Sequence, residues 1–384
     1  MSGSVVEYRM SDEDPEICAV DLFCGAGGFT KGLERAGINV IAGVDIDPDC
    51  EFPYEANNNA EFYHEDLEQI AREDPGWVGE LFDESADVRV IAGGPPCQPY
   101  STLFDSEEPH EKAGLVTAFA DIVNEVQPDI VAMENVYGVR NDEEYKDLVD
   151  ALKKAGYHFN EVGERGVHCL DYGIPQIRKR WITLASKLGP IEIDPPGRTD
   201  VYPESNLTVS DRIGDLPAIE AGEQDENDPL HRARNLEGKN RERIEISKPG
   251  GDWTDWEGEG REDLVADCHR KDSGISYKAP YSRMKDDEPA PTITTQFYNY
   301  GSGRFGHYDT DQNRALSIRE GAILQTFPDD YQFVDGDEID EIGLRKLGQW
   351  IGNAVPPKLA EVVGGSILRH ASGDRQRTVS EYVD

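Results

Sequence analysis

Short apolar runs alternate with amphipathic stretches through the first half of the chain. Ala19–Phe23, Val40–Val44, Val88–Ala92 and Ile130–Met133 are brief and rich in Val, Ile and Ala, the texture of strands covered on both faces. Thr117–Val126 and Glu144–Ala155 instead carry apolar residues at helical spacing. Such alternation predicts an α/β fold with a parallel sheet, in which ligands bind beyond the carboxyl ends of the strands. The four runs lead into Gly25, Asp45, Cys97 and Glu134, so the pattern gathers chemistry-bearing residues on one rim.

From about residue 190 the periodicity fades and Pro, Gly, Asp and Glu become frequent. Helical order returns with Ser317–Leu324 and with a helix opened by Pro356-Pro357, whose Leu359, Val362, Val363, Ile367 and Leu368 share one face. That face needs a core, and the sheet of the first half is the nearest one. The expected layout is a loose segment 1–16, a first domain 17–189, a smaller irregular domain 190–313, a return to the first domain over 314–372, and a loose tail 373–384. No internal repeat is visible.

Charge changes the picture of habitat more than of fold. The chain carries 77 acidic against 38 basic residues, a formal charge of −39, with Arg favoured over Lys. Recurrent apolar runs exclude a disordered chain, so the acidic excess is expected to coat a folded surface, as in a protein adapted to high salt. At 1 M salt the screening length is about 3 Å, so a distant negative surface would hardly repel a polyanion. Six cysteines without CxxC or framework spacing read as reduced thiols, and no metal site is expected. No apolar run approaches membrane-spanning length and no signal segment opens the chain, so a cytoplasmic protein without membrane contact is expected.

Cys97 follows Gly93-Gly94-Pro95-Pro96, where two prolines stiffen the turn after a buried strand and place a thiol for attack. A core cysteine is the competing reading, and a loop position at a strand end fits it poorly. Asp21-Leu22-Phe23-Cys24-Gly25-Ala26-Gly27-Gly28 is a strand running into a glycine turn and a helix, with Asp45 twenty positions beyond Gly25 at the distance suited to ribose hydroxyls. Thr30 stands where a dinucleotide fingerprint has its third glycine, which favours a nucleoside cofactor without pyrophosphate over NAD. Arg232, Arg234, Lys239, Arg241 and Arg243 form a basic island among Trp253, Trp256, Tyr277 and Tyr281. Phosphate contact is the favoured reading, and internal pairing with Glu237, Glu242 and Glu245 the alternative.

Several motifs occur in a fixed order: Asp21–Gly28, Pro95-Pro96-Cys97-Gln98, Glu134-Asn135-Val136, Gln176-Ile177-Arg178-Lys179-Arg180, Arg319-Glu320 with Leu324-Gln325-Thr326-Phe327-Pro328, and Gly352-Asn353-Ala354-Val355-Pro356. In that order, from about residue 18 to 370, they resemble the cytosine-C5 DNA methyltransferases. The resemblance implies a Rossmann-like methyltransferase sheet, a small target-recognition domain over 190–313, S-adenosylmethionine as cofactor and double-stranded DNA as partner. By position, Phe23 would stack on the adenine, Asp45 would hold the ribose, and Ile46 and Asp66 would border the base, although Asp66 also reads as a solvated loop acid. Gly25, Ala26, Gly27, Gly28 and Pro96 would line the cofactor, and Asn353 and Ala354 would close its methionine side. Gln98, Ser101 and Thr294, with Arg232, Arg234, Arg241 and Arg243, are the expected DNA contacts.

The same resemblance assigns the chemistry. Cytosine C5 is a poor nucleophile until a thiolate adds at C6, and Cys97 is that thiolate. Glu134 would share a proton at N3, with Asn135 holding the turn, and Arg180 would hold O2. Arg178 would take a phosphate or loop-anchoring role. A duplex base cannot reach Cys97 unless it is flipped out, and the segment 99–114 would close over it. That segment, Asp105-Ser106-Glu107-Glu108-Pro109-His110-Glu111-Lys112, lacks the basic turn usual in relatives. A monomer working beside a cognate restriction endonuclease completes the expectation. A tRNA cytosine methyltransferase is the rival, disfavoured by the long basic and aromatic insertion between Arg180 and Arg314.

Overall fold

The structure, a computed structural model, describes residues 15–83, 85–96, 114–161, 166–196, 207–271, 274, 276–336 and 339–373. The terminal segments expected to be loose fall almost wholly outside these residues, as does 97–113, which holds Cys97, Gln98, Ser101 and most of the expected closing loop.

Contact density divides the chain into two units. The first comprises Met1–His168, Lys179–Tyr202 and Val355–Asp384, and the second Cys169–Arg178 and Pro203–Ala354. Three features differ from the sequence expectation, the first being that the first unit runs to Tyr202 and not to 189. Residues 314–354 lie with the second unit, so the chain returns to the first only at Val355. The ten-residue excursion Cys169–Arg178 belongs to the second unit because it carries hydrogen bonds to distant parts of that unit.

The first unit is built on β1 (Ile17–Leu22), α1 (Gly28–Arg35), β2 (Asn39–Asp45), α2 (Glu51–Glu55), β3 (Glu61–His64), α3 (Leu67–Glu73), α4 (Trp77–Glu80), β4 (Val88–Gly93), α5 (Leu115–Val126), β5 (Ile130–Val136), α6 (Glu143–Lys154), β6 (His158–Glu161), β7 (Val167–His168) and, after β8 (Gln176–Ile177) of the second unit, β9 (Lys179–Ser186). The sheet runs β3-β2-β1-β4-β5-β9-β6. Its first five strands are parallel, as the alternation predicts. β9 then pairs antiparallel with both β5 and β6, so the sheet is mixed. An apolar run such as Trp181–Ala185 records burial and not strand direction, which is why sequence alone left this edge unread.

Every residue of β1 is buried, as the centre of a sheet covered on both sides requires. Phe119, Ile122 and Val123 of α5 cover one part of it with Leu148 and Leu152 of α6. The C-terminal helix Pro357–Ala371 buries Leu359, Val362, Val363, Ile367 and Leu368 within this unit. Its immediate partner is α1. A Cβ on Gly32 would stand 2.3 Å from Ala360 Cβ and from the Pro357 carbonyl, and one on Gly364 would meet Ala36 Cβ at 2.7 Å. Glycine at both positions lets the two helix backbones touch.

Among the described residues the second unit has little regular sheet, β8 pairing there with the two-residue strand Ala290–Pro291 alone. Its helices include Val209–Ile213, Lys239–Ile246, Thr254–Gly258, Ile318–Leu324 and Ile339–Asn353, the last interrupted at Gly343. Buried arginines do much of the work that ladders do elsewhere. Arg283 is fully buried and donates to the carbonyls of Ile244, His307, Asp309 and Gln312. Arg314 forks onto Glu320 with two 2.7 Å bonds, and Glu320 also closes the capping box of Ile318–Leu324 with Ser317. Irregular backbone satisfied by guanidinium groups leaves no hydrophobic period, which explains the fading pattern after residue 190.

Candidate active site

Glu134 lies near the carboxyl end of β5, between β4 and β9. Its direct partner on β9 is Ile182, and Val136 faces Arg180, so Arg180 stands diagonally across from Glu134. Arg180 Nε lies 2.8 Å from Glu134 Oε1, with the two side chains 13% and 9% exposed. The N–H is not aligned on that oxygen, which leaves buried Oε1 with hydrogen-bonding capacity to spend. Asn135, one residue on, donates from Nδ2 to the Pro95 carbonyl at 2.9 Å and accepts from the Val136 N–H. It therefore ties the end of β5 to the proline turn that leads to Cys97. A Cβ placed on Gly94 would lie 3.9 Å from Glu134 Oε2, so the carboxyl sits beside that turn.

The glycine turn leaves from the neighbouring strand. Gly94 N–H donates to the Leu22 carbonyl, so the proline turn rests on the carboxyl end of β1 where the glycine turn begins, and Cys24 N–H donates to the Val44 carbonyl of β2. Phe23 has φ 61°, a left-handed conformation rare for a bulky side chain and characteristic of functional turns. Gly25 and Gly27 follow with φ 51° and 85°, and Gly27 opens α1. A Cβ on Gly25 would meet nothing within 4 Å, so one side of the turn is open. Asp45 Oδ2 accepts from the Gly25 N–H at 2.8 Å and Oδ1 from the Asp47 N–H at 2.9 Å. Burial raises the Asp45 carboxyl above its usual range, and the two backbone donors pull it partly back. Ile46 beside it is 63% exposed, an unusual state for a large apolar side chain. Ala26, Gly27 and Gly28 are buried in the turn, and Pro96 is exposed. An open glycine turn, an acidic rim and an exposed apolar side chain fit a nucleoside ligand. Asp66 departs from that set: its Oδ1 caps α3 through the Glu68 and Gln69 N–H groups.

Beneath the turn lies a group that sequence reasoning passed over. Asp21 is fully buried, and its Oδ2 accepts from Thr30 N–H and Thr30 Oγ1, while Thr30 Oγ1 also meets Tyr54 Oη at 2.9 Å. Burial, reinforced by Asp45, pushes the Asp21 carboxyl up to about 7 against the relief given by Thr30. The signal was Thr30 itself, a hydroxyl replacing a glycine at the start of a helix.

In the second unit, Arg178 is 4% exposed and donates to the carbonyls of Ile293 and Ala354, a backbone-anchoring arrangement. Thr294 and Asn353 are exposed. The basic island divides. Arg243 is buried, donating to the Leu264 carbonyl and stacking over Tyr281 at 4.5 Å, so it takes an internal role. Arg232 pairs with Asp340, and Arg241 stands 4.0 Å from Glu245 while largely exposed. Arg234 is exposed. Trp253 and Trp256 are core residues, Trp253 stacking on His269 at 5.0 Å, whereas Tyr277 is 48% exposed. Among the described residues no cluster of His, Cys, Asp and Glu has the makings of a metal site, and no helix is long and apolar enough to cross a membrane.

The family model for C-5 cytosine-specific DNA methylase matches residues 17–369. Type II methylase M.HgiDII of Herpetosiphon aurantiacus is 42% identical over 363 residues, covering 93% of this chain and 97% of its own. Type II methyltransferase M1.HphI of Haemophilus parahaemolyticus is 31% identical, covering 91% and 86%. Among solved structures, a putative DNA modification methyltransferase from an E. coli prophage shares the fold with a TM-score of 0.56 at 21% identity, covering 91% of this chain and 98% of that one. The chain, with its Glu134–Arg180 pair beside the proline turn, belongs to the C-5 cytosine-specific DNA methylase family and is a DNA (cytosine-5-)-methyltransferase.

Proposed function

We propose that the chain methylates C5 of a cytosine extruded from duplex DNA through a transient bond from Cys97 to C6. The observation that carries the reading is Glu134: buried at a strand end, paired with Arg180 and set beside the turn that leads to Cys97. Addition of the thiolate at C6 pushes electrons toward N3 and C5. Glu134 supplies or shares the proton at N3, and Arg180 holds O2 while fixing the carboxyl. S-adenosylmethionine, when bound, supplies the methyl group as an electrophile. C5 would take the methyl as its bond to the sulfonium sulfur breaks, leaving S-adenosylhomocysteine. A base would then remove the C5 proton, the thiolate would be expelled as the C5–C6 double bond returns, and the N3 proton would go back to Glu134.

The residues of this chain that would hold the cofactor are Phe23 and the Gly25–Gly28 turn, Asp45 and Ile46 on the rim, Pro96, and Asn353 with Ala354. Asp66 would act there through the α3 terminus that it caps. Gln98, Ser101, Thr294, Arg232, Arg234 and Arg241 would meet DNA, and Arg243 would support them from within. The relatives are named as type II enzymes, which supports a restriction–modification setting with a cognate endonuclease; that the chain acts as a cytoplasmic monomer is part of the same proposal.

The charge of −39 supports work at high salt, with activity rising in KCl toward the molar range; a maximum near ~0.1 M, where charge is felt over about 10 Å, would refute that. Bisulfite sequencing of DNA from expressing cells would identify the target. A duplex carrying 5-fluorocytosine at that site should then be trapped covalently by the intact protein and cofactor, and not by Cys97→Ser. Absence of trapping on the intact protein would overturn the mechanism, and methylation confined to tRNA would overturn the substrate.

A further inference from the structure

Two buried glutamines in the second unit face each other side chain to side chain. Gln325 follows the helix Ile318–Leu324, Gln176 lies in β8, and both are fully buried. Gln176 Nε2 donates to Gln325 Oε1 at 2.5 Å and to the Leu324 carbonyl at 2.8 Å, while its Oε1 accepts from the Ile293 N–H at 2.9 Å. Gln325 Nε2 then donates to the carbonyls of Ile351 and Ala354 at 2.8 and 3.1 Å. Arg178 closes the figure, reaching the Ile293 carbonyl at 3.0 Å and that of Ala354 at 3.3 Å. Every polar atom of the two amides is used, which gives the pair one orientation and no slack.

Two backbone segments meet at this knot. One is the end of the helix Ile339–Asn353 with Ala354, whose last carbonyls lack intrahelical donors and take Gln325 and Arg178 instead. The other is Ile293–Thr295. Gly352 presses the first against the second: a Cβ there would lie 2.4 Å from Thr294 C and Thr295 N. The exposed residues on these segments are Asn353 and Thr294, one assigned above to the cofactor and the other to DNA.

We propose that Gln325, aligned by Gln176, is a positioning residue that sets the Ile351–Ala354 turn for the cofactor and locks it to the Thr294 backbone. This rests on the assignment of Asn353 and Ala354 to the cofactor. A helix end held only by its own last turn would fray, whereas one held by a buried amide cannot move without orphaning two carbonyls and Gln176.

Gln325→Met keeps length and removes both donors and the acceptor. The variant, folded by circular dichroism, should bind S-adenosylhomocysteine about tenfold or more weaker by calorimetry, with KM for S-adenosylmethionine rising in parallel. Its kcat at saturating cofactor should stay within about threefold of the parent, because the Glu134–Arg180 pair is untouched. A lowered melting temperature with unchanged cofactor affinity would mean that the glutamine is merely structural, and would overturn the proposal. Should Gln325→Met not fold, Arg178→Lys keeps charge but not the two-pronged reach; a rise in the dissociation constant supports the proposal and an unchanged value overturns it. Failure of the parent protein to bind S-adenosylhomocysteine would instead overturn the cofactor assignment beneath it.

Discussion

Glu134 and Arg180 meet at 2.8 Å diagonally across the antiparallel pair β5–β9, one carboxyl and one guanidinium both nearly sealed from solvent. The pair exists because the sheet reverses direction at β9. A parallel neighbour would leave its carboxyl end at the same rim and its amino end at the other. An antiparallel one brings Arg180, near its amino end, to where β5 delivers Glu134.

Replacing the carboxyl tests its part in proton transfer. Glu134→Gln should lower the single-turnover methylation rate by about 10²- to 10⁴-fold, the usual worth of a general acid or base. Binding of S-adenosylhomocysteine should be little changed, since the glycine turn leaves from β1. A rate close to that of the parent would remove Glu134 from the chemistry.

Asn135 tests the link between the same strand and the proline turn. Its Nδ2 is the donor to the Pro95 carbonyl, so Asn135→Asp, equal in shape but lacking that N–H, should fare no better than Asn135→Ala. Both are expected to lose about 100-fold in kcat, through misplacement of the turn that leads to Cys97. Full activity in Asn135→Asp would show that the bond does not position the turn.

Asp21 should give stability a dependence on pH. Its carboxyl is raised to about 7 by burial from an ordinary value of 3.8, so the folded chain holds the proton more tightly than the unfolded one. The contribution is present in full below 3.8 and is lost as pH climbs to about 7. Asp21→Asn keeps an acceptor for Thr30 and cannot ionise. Relative to the parent it should gain up to roughly 4 kcal/mol between pH 4 and pH 8, read from denaturant midpoints. Parallel pH profiles for the two proteins would refute the buried titration.

Glu320 works in the opposite sense. Burial alone would raise its carboxyl, but Arg314 and then His307 hold it well below the usual range. Its contribution is therefore present above the unfolded carboxylate value and lost as pH falls. Glu320→Gln strands the Arg314 guanidinium in the interior and should cost about 3–5 kcal/mol at pH 7, seen as an earlier urea transition. A loss below about 1 kcal/mol, the worth of an exposed pair, would show that the fork bears little of the unit's stability.

Much of the first unit was legible because a buried strand and an amphipathic helix leave periods that survive in one dimension. Ala19–Phe23, Val40–Val44, Val88–Ala92 and Ile130–Met133 all fall on strands β1, β2, β4 and β5 to within a few residues. Glu134 and the glycine turn were legible because strand ends in such a sheet converge. Asp21 was not, since an acid inside an apolar run gives no hint of whether it is buried or merely tolerated. Gln176 and Gln325 stood in view within motifs, but their partnership spans 149 positions and leaves no local trace.

The order of strands and helices in the first half, and the strand ends at which Asp45 and Glu134 stand, were determined by the sequence itself, because each is a pattern of neighbouring residues. Tertiary structure alone decided that β9 runs antiparallel, that Arg178 holds backbone while Arg180 meets Glu134, that Arg243 turns inward, and that 314–354 joins the second unit. These are outcomes of satisfying buried donors and acceptors at long range. A guanidinium binds whichever carbonyls the folded backbone leaves unpaired, and no local spacing records which ones those will be.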